Sequence, residues 1–155
     1  LSPDEFYEKA EPWLRKAISN PAIDLKAVTA LVQPRCEILS DLPERVDFLD
    51  KHPDYDTALY VHKKSKTTLE NSLASLKAIL PALEAQEDWS NDALYATLTA
   101  LAEQLGVKNS IVLWPLRVAV SGKASTPGGA TELCALLGKA ESLSRIRDGI
   151  ARLGG

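Results

Sequence analysis

One arginine stands alone in an apolar run. From Ile111 to Val120 the chain reads Ile-Val-Leu-Trp-Pro-Leu-Arg-Val-Ala-Val, and Arg117 carries its only charge. A guanidinium in such a segment is costly to bury without a partner. It therefore meets an internal carboxylate, with Glu132 and Glu103 as candidates, or it lies at a surface that receives a ligand. Just downstream, Ser125-Thr126-Pro127-Gly128-Gly129 offers hydroxyls, backbone N–H groups and little bulk ahead of a helix start. That combination suits a phosphate or a base edge. Trp114 is close enough in sequence to stack on a base, or it is core. Lys139, at the start of the last helix, could meet a phosphate or be simply exposed. Little else invites chemistry. His52 and His62 are ten residues apart in loop-like sequence, which is not metal-ligand spacing, and they read as ordinary exposed histidines. No nucleophile elbow or phosphate loop of the Walker type occurs.

The elements that must position these residues are helices. Ser2-Pro3-Asp4-Glu5 is a capping box with proline at the first helical position, and its helix runs to about Ile18. Asp24 caps a second helix that stops at Pro34; Ser40 or Asp41 caps a short third. Tyr55 to Val61 suits another short helix. A solvated basic loop, Lys63-Lys64-Ser65-Lys66, follows it. Thr67 or Thr68 opens a longer helix with Leu69, Leu73, Leu76 and Leu80 inward, ended or kinked at Pro81. Ser90 opens the next, closed by Gly106. Pro115 reads as the first turn of a helix that ends at Gly122. The last helix, Lys139 to Leu153, buries Leu143, Ile146, Ile150 and Leu153 and turns Arg145, Arg147 and Arg152 outward. Sustained alternation is absent, and Pro115 argues against a central strand. The fold class is therefore all-α, with a boundary near Pro81–Ser90 dividing helical subdomains at 1–85 and 86–155.

Composition sets bounds. The 155 residues, 45% of them apolar, suit one compact domain or two small ones, without a membrane span. Cys36 and Cys134 have no redox or metal spacing, so thiols in a reducing compartment are expected. The chain opens on Leu1 and has no methionine, which reads as a piece of a longer protein. Net charge is −3 but uneven: residues 1–106 hold 11 basic and 18 acidic residues, residues 107–155 hold 7 and 3. An RNA-binding reading then needs one positive concave face that gathers Arg117, Lys123, Lys139 and Arg145. Its rivals are a helical protein–protein interaction module without RNA binding and a small helical hydrolase.

Trp-Pro-Leu-Arg-Val-Ala-Val-Ser-Gly, then Ser-Thr-Pro-Gly, then Leu-Leu-Gly-Lys-Ala-Glu-Ser-Leu-Ser-Arg-Ile, occur in the order and spacing of one family. The chain resembles the C-terminal anticodon-binding domain of bacterial-type glutamyl-tRNA synthetases over essentially its whole length. The match is specific in the second half and looser before Trp89. The resemblance implies a helical anticodon-binding cage and a parent enzyme, a class I glutamate–tRNA ligase of the cytoplasm. The parent would be a monomer that activates glutamate with ATP and Mg²⁺ in a preceding catalytic domain. No catalytic residue, cofactor or metal is expected in the present chain, and its partners would be glutamate tRNA and that catalytic domain. Lys63-Lys64-Ser65-Lys66 faintly echoes a class I active-site signature but stands in the wrong part of the family layout. The family's pattern puts anticodon contacts at Arg117 and at Thr126, Pro127, Gly128 and Gly129, where Gly129 replaces a common leucine. Arg35, in Pro34-Arg35-Cys36, matches an arginine with which some members read the third anticodon base; it also reads as a plain helix-end charge.

Overall fold

The computed structural model describes residues 2–155. It is all-α, as the periodicity implies, with eight α-helices among the described residues. They are α1 (Pro3–Ala17), α2 (Leu25–Val32), α3 (Leu42–Asp50), α4 (Leu69–Glu84), α5 (Asn91–Leu105), α6 (Asn109–Ser121), α7 (Ala130–Leu137) and α8 (Lys139–Arg152). The starts are set by side chains that accept orphan N–H groups: Ser2, Asp24, Thr68 and Ser90 each cap their helix. Gly106 and Gly122 end α5 and α6 in the left-handed region, at φ 69° and 64°. Gly138 alone separates α7 from α8, at φ 83° and ψ 166°, a region open essentially only to glycine.

Helices α1, α2 and α3 pack together around Leu14, Val28, Val46 and Leu49. The second half is built around α6, which touches α4, α5, α7 and α8. Leu116, Val118, Ala119 and Val120 of α6 are fully buried, and each large apolar side chain there contributes about 1.5–3 kcal/mol by leaving water. Helix α4, which the sequence assigns to the first subdomain, lies against α6 and α8 of the second.

Four expectations fail for tertiary reasons. Pro115 lies inside α6, not at its start. It cannot donate to the Ile111 carbonyl one turn back, but the Ser75 hydroxyl of α4 donates to that carbonyl at 2.8 Å and replaces the missing bond. Helix α4 buries Ser72, Ser75, Leu76, Ile79 and Leu83, leaves Leu69 exposed, and runs past Pro81 to Glu84. The inward face is thus rotated onto small residues that admit α6. Arg145 is not exposed: it is 1% accessible, with Nε 2.9 Å from Glu141 and an Nη1–H donated to the Val120 carbonyl at 2.6 Å. The histidines are not exposed either. His52 donates or accepts at 3.0 Å with the Ala119 carbonyl, and since a carbonyl only accepts, Nε2 carries the proton.

Candidate nucleic-acid interface

Arg117 projects from α6 beside the loop that follows it. Its Nη2 donates to the Ala124 carbonyl at 2.8 Å, and its guanidinium carbon lies 4.6 Å from the Trp114 ring centroid. No carboxylate answers the charge among the described residues. Glu132 accepts the Gly129 N–H at 3.0 Å instead, and Glu103 is exposed on α5. The Nε of Arg117 is buried with no hydrogen-bond partner. Burial pushes its pKa below the ordinary arginine value. The side chain is thus held in place by a ring face and one carbonyl, with donor capacity left over.

Trp114 is fixed in turn. Its indole N–H donates to the Leu59 carbonyl at 2.9 Å, and His62 stacks on the ring at 3.8 Å with the planes 10° apart. The ring is therefore already engaged by His62 and by Arg117. Sequence reasoning missed His62, because nothing local signals that a loop histidine and a helix tryptophan will meet.

The small-residue loop is more closed than its composition suggests. Ser121 Oγ donates to the Arg117 carbonyl at 2.6 Å and accepts the Lys123 N–H at 3.1 Å. Thr126 Oγ1 donates to the Gly128 carbonyl at 2.6 Å. Pro127 and Gly128 are buried. A Cβ on Gly128 would come within 2.7 Å of Leu31 on α2, so the glycine is where the two halves touch. Gly129 is exposed, with its N–H already taken by Glu132. That acid stands three residues after the N-cap glycine, a spacing that could have announced the bond.

Arg35 lies on the 3₁₀ turn Gln33–Arg35 that follows α2. It is exposed, and its Nη1 donates to the Leu31 carbonyl at 3.1 Å. With Leu31, Pro34, Asn91, Glu132 and Leu136 it lines a groove of about 470 Å³ between α2 and α7. Leu31 thus joins Arg35 to the far end of the loop that Arg117 grips at Ala124. Lys139 is elsewhere. Its Nζ donates to the carbonyls of Glu84 and Gln86 at 2.9 and 2.7 Å, closing the C-terminus of α4. Lys123 pairs with Asp47 at 2.5 Å. With Arg145 buried as well, the positive concave face expected from Arg117, Lys123, Lys139 and Arg145 does not form.

Residues 5–150 match the sequence model of the family described as anticodon binding domain. The chain belongs to that family. It is 50% identical over 153 residues to a glutamate–tRNA ligase of Clostridium acetobutylicum, and 47% identical over 153 residues to that of Clostridium tetani. These alignments cover 99% of the chain and 32% and 31% of the relatives, so the chain spans about a third of their length. Among solved structures, a glutamate tRNA ligase of Elizabethkingia meningosepticum superposes with a TM-score of 0.78 at 21% identity, over 97% of this chain and 29% of that one. The glutamate–tRNA synthetase of Elizabethkingia anophelis gives 0.73 at 19%. The fold is thereby shared with both solved structures, and α6 with its loop is the part of this domain that carries the Trp-Pro-Leu-Arg and Thr-Pro-Gly motifs.

Proposed function

We propose that this anticodon-binding domain holds the anticodon loop of glutamate tRNA as part of a monomeric, cytoplasmic glutamate–tRNA ligase. The observation that carries the reading is Arg117: a half-buried guanidinium on Trp114, with a partnerless Nε and no carboxylate beside it among the described residues. Unpaired bases can be splayed onto planar groups and read on their edges, and a guanidinium both stacks and donates a fork of hydrogen bonds. Arg35, in the groove between α2 and α7, would read a second base, with Thr126 to Gly129 as the wall between the two arginines. Gripping the loop positions the tRNA acceptor end in a distant catalytic domain. The activation of glutamate by ATP and Mg²⁺ would lie in that domain.

Fluorescence titration of the chain with glutamate tRNA tests this. Arg117→Ala is expected to fold normally and to weaken binding about tenfold to a hundredfold, the worth of one two-pronged arginine contact of about 1–3 kcal/mol. Equal binding of tRNAs with unrelated anticodons by the unaltered chain would overturn the reading.

A further inference from the structure

The turn Lys63-Lys64-Ser65-Lys66 is pinned on several sides. His62 and Thr67 exchange backbone hydrogen bonds of 3.3 and 3.2 Å, and the Lys66 N–H donates to the Lys63 carbonyl at 3.1 Å. The Ser65 N–H donates to His62 Nδ1 at 3.2 Å. Ser110 Oγ donates to the Ser65 carbonyl at 3.3 Å, and Asn71 Nδ2 to the Lys66 carbonyl at 3.1 Å. The three lysine side chains are exposed, and among the described residues none is joined to an acid, a carbonyl or a ring. Most lysines and arginines of residues 107–155 are tied down: Lys123 to Asp47, Lys139 to two carbonyls, Arg147 to Glu84, Arg152 to Asp54 and Asp148. Lys108, exposed and two residues before Ser110, adds a fourth free cation at this edge.

Lys66 has φ 59°, the only positive φ outside glycine among the described residues. A side chain there is strained by about 1–2 kcal/mol, and glycine or asparagine would fit better. The turn is also next to the proposed RNA site. Its closing residue, His62, stacks on Trp114 at 3.8 Å, and Arg117 lies over the same indole at 4.6 Å.

We infer that this turn is a phosphate clamp for the same RNA that reaches Arg117. Lys63, Lys64 and Lys66 would hold the backbone of the strand flanking the read bases, without regard to sequence, and Arg117 would supply the base contact. This rests on the RNA-binding reading above. The test is tRNA titration across salt concentrations with the triple variant Lys63→Ser, Lys64→Ser, Lys66→Gly. The glycine suits φ 59°, so the thermal midpoint should hold or rise. The expected result is binding weakened about tenfold or more at low salt, equally for glutamate tRNA and for a tRNA with an unrelated anticodon. The slope of log affinity against log salt should become shallower by roughly 2–3. If the triple variant keeps the unaltered affinity and slope while Arg117→Ala loses affinity, this inference is overturned and the RNA-binding reading stands. If the unaltered chain shows no salt-dependent tRNA affinity, both are overturned. Loss of binding to phosphatidylserine vesicles with tRNA binding unchanged would assign the turn to a membrane surface and overturn it too.

Discussion

Arg117 and Arg35 are both arginines whose donors reach backbone carbonyls, yet their settings differ. Arg117 is half-buried against an indole, whereas Arg35 is exposed at the end of its own helix. On the proposed reading the first needs little rearrangement to meet a base, whereas the second would have to turn away from the Leu31 carbonyl. Removing Arg35 should therefore leave glutamate tRNA bound but narrow its advantage over a tRNA that differs at the third anticodon base, the base the family resemblance assigns to this arginine. Arg35→Ala is expected to lower that ratio about tenfold to a hundredfold in competition binding, and an unchanged ratio would return Arg35 to a helix-end role. His52 makes a different test. Burial, then the nearby Arg145 charge, hold its pKa below the ordinary 6.5, against the pull of Asp148. The folded chain thus keeps His52 neutral where the unfolded chain takes up a proton. Its contribution to stability is present above pH 6.5 and is lost as pH falls through that value toward the depressed folded pKa. The thermal midpoint should drop between about pH 7.5 and 5.5, and the drop should be smaller in His52→Gln.

Helix boundaries were legible wherever a local side chain sets them. Ser2, Asp24, Thr68 and Ser90 cap as their identities require, and Gly106 and Gly122 stop their helices. What local pattern could not show was compensation from another helix. Pro115 looked like a start because an interior proline leaves a carbonyl unpaired, and the hydroxyl that satisfies that carbonyl comes from Ser75, 36 residues earlier. Arg145 looked external because its partner carbonyl, Val120, is 25 residues away. The α6 case yields a double-mutant cycle. Ser75→Ala strands the Ile111 carbonyl and should cost about 1–3 kcal/mol in urea unfolding. In a Pro115→Ala background the restored N–H at 115 can satisfy that carbonyl, so the same substitution should cost under about 1 kcal/mol. Equal costs in both backgrounds would mean that the serine acts by packing alone.

Over the whole molecule, the charge asymmetry of the sequence was a poor guide to surface field. The basic residues of the last third are mostly consumed in joining elements, as Lys123 joins the loop to α3 and Lys139 joins α8 to the end of α4. Four free cations gather instead at one edge, where the turn 63–66 of the more acidic part meets Lys108. Composition reports how many charges a segment has; only the fold decides which of them are neutralised. The motif-bearing loop was legible as small and polar, but its burial against Leu31 of α2 was not. Trp114 carries a last consequence. Of the chain's three tryptophans it alone has both an imidazole and a guanidinium on its ring, so it should glow dimly in the free domain. A nucleobase that draws Arg117 off the indole would change that emission, giving the domain an optical reporter with no dye attached. Trp114→Phe should abolish the change on tRNA addition, while Trp13 and Trp89 supply a constant background.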